Sequence, residues 1–297
     1  LPIGLALILT TLRVVRETPS RPTTFDLAGA LLSTAGMTSL VYGIVSAANA
    51  GWGATSTVYG GIAGVVLLTL FGFHEARTSD PILPLRLFQH RVRAGAYSAR
   101  LLFLGAMMSF YFFTTQYLQE VLGFTASEAG LAFLPTTLAN FAAAMAIPRL
   151  TRLFGNGALL AAAVAVGCIG MLWLSGLGPH TPYLAVIMPL LLIGVSQGAC
   201  LSPLTAAAMT DVQPADAGAA SGLVNVSHQL GGTLGLSVLT VAYSYGAGSS
   251  ESVQAVSAGI SMAFIWSAVM LALALMVVLA LIVRGAPQNA ALAQRQG

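Results

Sequence analysis

The chain has 297 residues, of which 57% are hydrophobic and only 7% are charged. A soluble domain usually carries about 25% charged residues, so this composition cannot cover a water-exposed surface. The formal charge of +3 comes from Arg residues in short connections, which form no basic patch for nucleic acid. Composition therefore excludes a water-soluble globular domain and gives no support to nucleic-acid binding.

Apolar stretches of about 20 residues, the length that crosses a hydrocarbon core of about 30 Å, recur along the whole sequence. Hydropathy and breaker residues predict a helix over 1–12, interpreted as the end of a truncated transmembrane helix, and then eight full spans. The spans are predicted at 27–46, 57–74, 95–118, 128–148, 157–177, 183–204, 218–245 and 257–283. The sequence thus predicts an all-α membrane protein, a polytopic bundle of transmembrane helices embedded in the lipid bilayer.

The distribution of Arg gives the predicted orientation. All Arg residues except Arg100, which lies within a span, fall in the connections of one predicted side. By the positive-inside rule these connections and the tail over 286–297 are cytoplasmic. The connection at 205–217 has no Arg, but strict alternation places it on the cytoplasmic side too. Asp216, just before the next span, and Thr125 or Ser127, before the span at 128, are predicted helix caps.

Two local patterns that suggest chemistry lack the required context. Gly194 to Gly198 matches G-x-S-x-G, with His228 and Asp216 as possible triad partners, but a nucleophile elbow needs a strand before the serine. Here an apolar helix is predicted instead, so no catalytic residue and no enzyme activity are expected. Cys168 and Cys200 lack metal-ligand spacing, and no metal site or cofactor is expected.

Ionisable side chains at membrane depth are costly and therefore informative. Arg100 is predicted on the cytoplasmic side of its span, where it either faces an aqueous cavity or extends to the headgroups. His228 is predicted at a similar depth, where it either takes part in proton transfer or packs in a hydrogen-bonded position.

Uncharged polar side chains are also predicted at membrane depth, where they either line a cavity for an amphipathic ligand or hold helices together. They are Gln116, Asn140, Gln197, Asn225 and Gln229. Small residues spaced four apart predict close helix contacts. These pairs are Gly60 and Gly64, Gly194 and Gly198, and Gly231 and Gly235. Pro135, Pro189 and Pro203 lie inside spans, where each can kink its helix.

Several stretches resemble a known family of transporters. Leu1 to Gly4, Phe25 to Gly29 with Leu40 to Gly43, and Gly51 to Gly53 are similar to the sixth helix and the first extra central helix of that family's 14-helix branch. Gln116 to Gly123 followed by Ala129 to Pro135, and Ala217 to Leu223 with Asn225 and Gln229 to Gly232, are similar to its second-half motifs. The chain is therefore identified as resembling the major facilitator superfamily, specifically its 14-helix drug:proton antiporters.

This resemblance implies the C-terminal half of a major facilitator fold with two extra central helices. The N-terminal half, which carries the family's proton-coupling acid, is expected to be missing. The implied divisions are a truncated helix and cytoplasmic loop (1–26), two linker helices and a basic loop (27–93), a six-helix bundle (94–285) and a cytoplasmic tail (286–297). The resemblance also implies alternating access, with protons driving the outward movement of a hydrophobic or amphipathic small molecule.

The residues proposed to line the substrate cavity are Arg100, Gln116, Asn140, Asn225 and His228. Members of the family usually have Arg at the position of His228, so this chain departs from the pattern there. An exporter of one specific metabolite and a non-transporting membrane scaffold or sensor are the alternatives. The absence of Lys, with abundant Ala, Gly and Arg, suggests a GC-rich bacterial genome and a plasma-membrane location.

Overall fold

A computed structural model of the chain describes residues 2–14, 26–78, 81–248, 250 and 252–284, and these contain helices but no strand. The predicted tail and the connection with Arg16 and Arg21 lie outside the described residues. The α-helices of the described part are α1 (Pro2–Val14), α2 (Leu27–Ala50), α3 (Thr55–Glu75), α4 (Arg91–Gln116), α5 (Ala126–Ala132), α6 (Leu134–Phe154), α7 (Asn156–Ser175), α8 (Tyr183–Ala208), α9 (Ala217–Ala247) and α10 (Val253–Val277).

Seven helical segments of the described residues are long and apolar enough to cross a membrane. They comprise α2, α3, α7, α8, α4 with the π-helical turn Tyr117–Val121, the α5–α6 pair, and α10 with the π-helical turn Val278–Val283. The remaining predicted span, 218–245, forms α9, which has 31 residues but is too polar to count among these seven. The predicted all-α membrane bundle is therefore confirmed.

Both ends of the bundle show the predicted alternation of chain direction. The connection between α3 and α4, which has four Arg residues with the start of α4, meets the Arg-free connection between α8 and α9 at one end of the bundle. There Arg86 Nη2 lies 2.7 Å from Asp216 Oδ1. At the opposite end, Tyr117 donates a hydrogen bond to the Gly178 carbonyl, and Tyr183 donates one to the Ala132 carbonyl. The Arg-free connection thus lies beside an Arg-rich one, on the side predicted to be cytoplasmic.

Helices α2 and α3 form a hairpin that packs on the other helices mainly through α2 against α9. Asp26 caps α2 by accepting from the Gly29 amide, and His74 lies 2.8 Å away at the end of α3. The Gly29 hydrogen bond and His74 lower the pKa of the Asp26 carboxyl. The division into linker hairpin and six-helix bundle remains a prediction.

Most of the largest buried side chains come from α4, α7, α8 and α10, which pack side by side, and they include Phe103, Phe110, Phe113, Phe264 and Met171. Helix α9 covers one side of this group by packing on α4 and α10. Helix α6 covers another side and packs on α8. The polar side chains described below lie on four of these neighbouring helices, α6, α8, α4 and α9.

The predicted glycine pairs lie where helix backbones approach most closely. A Cβ atom on Gly231 or Gly235 would overlap the α4 backbone at Leu101 or Gly105. A Cβ atom on Gly194 or Gly198 would overlap carbonyl oxygens of α6 in the same way. Gly60 and Gly64 likewise lie against the backbone of α2. Small residues therefore set three helix contacts, as expected for membrane helices.

Local sequence explains two helix boundaries and fails at a third. Thr125 caps α5 in a capping box with Glu128, which confirms the predicted cap. The span at 128–148 is divided at Phe133, because Pro135 lacks the N–H that would continue the first helix. The prediction that Asp216 caps α9 was wrong: its side chain makes no cap bond and instead accepts hydrogen bonds from Arg86.

Candidate functional site

Polar side chains at membrane depth gather in two clusters that share α4. Arg100 and Tyr111 stand eleven residues apart on this helix, which is about three turns, so both lie on one side of it about 16 Å apart. Arg100 contacts polar residues of α8 and α9, and we call this group the inner cluster. Tyr111 contacts Gln197 of α8, which also contacts α6, and we call this group the central cluster.

The inner cluster joins α4, α8 and α9. Arg100 is buried with 8% of its surface exposed. Its Nη1 donates to Thr205 Oγ1 at 2.9 Å, and its Nη2 lies 3.5 Å from His228 Nδ1. A guanidinium only donates, so His228 Nδ1 is the acceptor in this contact. The guanidinium therefore points toward α8 and α9, and an aqueous cavity beside it remains a prediction.

The central cluster is built around the side-chain oxygen of Gln197, near the middle of α8. Asn140 Nδ2 donates to Gln197 Oε1 at 3.0 Å, and the Tyr111 hydroxyl donates to the same atom at 2.7 Å. Asn140 comes this close because Gly198 has no side chain between α8 and the α6 backbone. One amide oxygen thus links α4, α6 and α8.

The other two predicted lining residues lie apart from these clusters. Gln116 ends α4 and is half-buried, and its Oε1 has no hydrogen-bond partner among the described residues. Asn225 is exposed on α9, about one turn before His228. The structure therefore brings together Arg100 and His228, and places Asn140 in the second cluster. The cavity-lining role of all five remains a prediction.

The clusters border a surface that is polar at a depth where lipid is apolar. Tyr111 is 37% exposed, and Thr205, Asn225 and Gln229 are also exposed. Lipid tails offer no hydrogen-bond partners, so polar groups exposed at this depth face water or another protein segment. This surface of α4, α8 and α9 is therefore suited to border an aqueous cavity.

The G-x-S-x-G sequence lies inside α8, where Ser196 is fully buried and no strand precedes it. Asp216 is bound to Arg86, and His228 Nδ1 faces Arg100. The two possible triad partners therefore have other partners, and the nucleophile-elbow geometry is not formed.

Sequence reasoning assigned no role to the network at the end predicted to be cytoplasmic. Arg86 binds Asp216 through Nε at 2.9 Å and Nη2 at 2.7 Å. Arg93 donates to the carbonyls of Arg86 and Leu87, and across the bundle to those of Thr210 and Asp211. Arg86, Arg93, Asp211 and Asp216 border a cavity of about 350 Å³. The network therefore joins the segment before α4 to the connection between α8 and α9.

The Arg86–Asp216 pair predicts a specific dependence of stability on pH. Hydrogen bonds from Arg86 lower the pKa of the Asp216 carboxyl below the ordinary value of about 3.9. A lowered folded-state pKa stabilises the protein above about pH 4 and loses that effect as the pH falls through the lowered pKa. We expect the thermal midpoint to fall more steeply below about pH 4 in the unaltered protein than in Asp216→Asn. Parallel curves would contradict this coupling.

Sequence reasoning also missed Tyr111 and Thr205 as members of the two clusters. In the sequence Tyr111 is one of several neighbouring aromatic residues, and Thr205 has no distinguishing context. A hydroxyl group in an apolar helix is a weak signal, because it often bonds to its own helix, as Thr205 also does with the Leu201 carbonyl. The contact with Arg100 depends on how α4 and α8 are rotated, which their separate sequences do not record.

Comparison with known proteins gives a consistent family assignment. Residues 5–236 match the sequence profile described as Major Facilitator Superfamily. The chain is 36% identical to the cephamycin export protein CmcT of Amycolatopsis lactamdurans, over 93% of this chain and 58% of that protein. It is 37% identical to the puromycin resistance protein pur8 of Streptomyces alboniger, over 74% of this chain and 44% of the relative.

A third relative is the multidrug resistance protein Stp of Mycobacterium tuberculosis, which is 34% identical over 80% of this chain and 44% of its own length. The chain therefore spans about half the length of the relatives it matches. Bacterial relatives and seven apolar helices identify a multi-pass protein of the bacterial plasma membrane. The matched profile covers most of the sequence, and the predicted superfamily is confirmed: this chain belongs to the Major Facilitator Superfamily.

Proposed function

We propose that this chain forms the substrate-exporting part of a drug transporter, moving amphipathic small molecules outward by alternating access, with protons as the coupling ion. The observation that carries the proposal is the polar surface of α4, α8 and α9 at membrane depth, with its inner and central clusters. Such a surface is unstable against lipid but suits a cavity that holds amphipathic molecules. The 14-helix branch is part of this proposal.

The names of the relatives support export of antibiotics and differ in breadth. One relative is named as a multidrug resistance protein, whereas two carry the name of a single compound. Export of one specific compound is therefore the second candidate function. The two candidate functions differ in the number of compounds whose accumulation in cells falls when the protein is produced.

The direct test uses the complete gene that encodes this chain, expressed in a bacterium whose own efflux pumps are deleted. Cells are loaded with ethidium, puromycin and a panel of unrelated amphipathic compounds, and accumulation is measured with and without a protonophore. Lower accumulation of several compounds, abolished by the protonophore, is the expected result. An effect on a single compound would favour the specific exporter, and unchanged accumulation of every compound would contradict export.

A substitution in the central cluster tests whether this surface takes part in export. Gln197→Leu removes the acceptor shared by Asn140 and Tyr111 while keeping a similar size. Loss of about 1 kcal/mol of hydrogen bonding predicts about fivefold weaker export. Gln254→Leu, on the exposed first turn of α10, is the matched control and should export normally. Equal export by the two variants, at equal amounts in the membrane, would separate the central cluster from function.

A further inference from the structure

Among the described residues, Arg86 and Arg93 each have acceptors that suit their guanidinium groups, whereas Arg100 does not. Arg86 offers its Nε and Nη2 edge to both oxygens of Asp216. Arg93, also buried, donates to four backbone carbonyls. Arg100 is equally buried, yet its Nε–H is enclosed and has no hydrogen-bond partner among the described residues. No carboxylate of the described residues lies within ion-pair distance of it.

A buried guanidinium without a counter-ion is expensive at membrane depth, and it stays charged because it cannot release its proton in a protein. The neighbours of Arg100 do not neutralise it. Thr205 supplies one neutral oxygen, and His228 supplies one neutral nitrogen at 3.5 Å. Both neighbours reach the polar surface, since Thr205 is exposed and His228 is half-buried. An anion arriving from that surface would complete the site.

We propose that Arg100, Thr205 and His228 form an anion subsite that binds a carboxylate at the unpaired Nε–H of the Arg100 guanidinium. A carboxylate there would accept from Nε and, in place of His228 Nδ1, from Nη2, which is the two-bond geometry of Arg86 with Asp216. Thr205 accepts from Nη1 on the opposite side of the guanidinium, so the unpaired donor lies on the Nε side. The subsite deepens the proposed function, on which it rests, by naming acidic amphiphiles as a substrate class.

The carboxylate has two possible sources. One is the transported molecule, and the other is an acidic side chain of the same protein outside the described residues. Both satisfy the same chemistry, but they predict different measurements. A ligand carboxylate makes binding depend on Arg100, whereas a protein carboxylate makes folding stability depend on it.

The experiment measures binding and stability of the purified protein produced from the complete gene, so it does not depend on transport. The probes are dansylundecanoic acid and its neutral methyl ester, which differ only in the charged group. The variants are Arg100→Gln, Arg100→Lys and Thr205→Val, with Arg91→Gln, at an exposed position, as the control. Gel filtration confirms that each variant is folded before fluorescence titration and thermal unfolding.

For a ligand carboxylate, the unaltered protein binds the acid about tenfold more tightly than the ester. Arg100→Gln removes this preference without changing ester binding, while Arg100→Lys keeps part of it because a point charge remains. For a protein carboxylate, acid and ester bind equally, and Arg100→Gln lowers the thermal midpoint more than Thr205→Val does. That comparison separates a lost ion pair from the lost Thr205 hydrogen bond.

Equal binding of acid and ester, together with an Arg100→Gln midpoint no lower than that of Thr205→Val, would overturn the anion subsite. Export of neutral compounds would stand in that case, because binding and export are measured separately. Conversely, tight Arg100-dependent binding without any export would leave the subsite and contradict the transporter proposal.

Discussion

Replacing Gly235 by valine is expected to prevent the bundle from folding stably in the membrane. The backbones of α4 and α9 touch at this point, and a Cβ atom on Gly235 would overlap Gly105. Neither backbone can move aside without separating two helices that pack along much of their length. We expect a loss of about 3 kcal/mol, the upper end of overpacking, or more than a hundredfold in the folded-to-unfolded ratio.

The control for this substitution lies on the same helix. A Cβ atom on Gly222 meets no neighbouring atom within 4 Å, so Gly222→Val adds the same volume in open space. Both variants raise β-branching in α9, which cancels the difference in helix propensity. The measurement is the yield of monodisperse protein after detergent extraction, followed by thermal unfolding. If the two variants match each other, the Gly105–Gly235 contact does not hold the helices together.

The helices could be predicted because their signals are local. Twenty apolar residues bounded by Gly, Pro or Arg predict a span without reference to any other part of the chain. The alternation of Arg predicts the shared side of the connections at both Arg86 and Asp216, which the structure places in contact. Glycines four apart predict close contacts because membrane helices approach each other through small residues. They do not specify which helix is the partner.

The sites could be predicted only in part, because their geometry is not local. Arg100 and His228 are unusual at membrane depth, and that cost is visible in each span alone. Their contact joins positions 128 residues apart and depends on the packing of α4 against α9. The incorrect prediction that Asp216 caps α9 also results from a contact between distant positions. The local sequence suits a cap, but Arg86, 130 residues away, binds the carboxylate with two hydrogen bonds.

Replacing Arg93 by methionine is expected to release the connection between α8 and α9 from the segment before α4. The Arg93 guanidinium donates to carbonyls of Arg86 and Leu87 on one side, and of Thr210 and Asp211 on the other. Methionine retains much of the apolar stem but removes this donor from all four carbonyls, of which that of Arg86 keeps the Gln89 amide as a donor. Four lost hydrogen bonds, one buried and three part-buried, at about 0.5–1.5 kcal/mol each predict a loss of about 3 kcal/mol in folding stability.

The backbone of the connection adds to the expected effect. Asp211 has a φ of 53°, in the left-handed region that non-glycine residues seldom adopt. Its carbonyl accepts from Arg93 at 3.0 Å, which helps to hold this conformation. Without that hydrogen bond the connection can return to a relaxed conformation and open. Limited proteolysis from the predicted cytoplasmic side should therefore cut Arg93→Met near positions 209–213 faster than the unaltered protein.

Arg91→Met is the matched control because it removes the same group two residues away. Arg91 is exposed at the first position of α4, so its loss leaves no buried acceptor unpaired. Its thermal midpoint and cleavage rate should equal those of the unaltered protein. If Arg93→Met behaves like Arg91→Met in both measurements, the four carbonyl contacts do not hold the connection. If only cleavage rises, Arg93 restrains the connection locally while the helices of the bundle keep the folding stability.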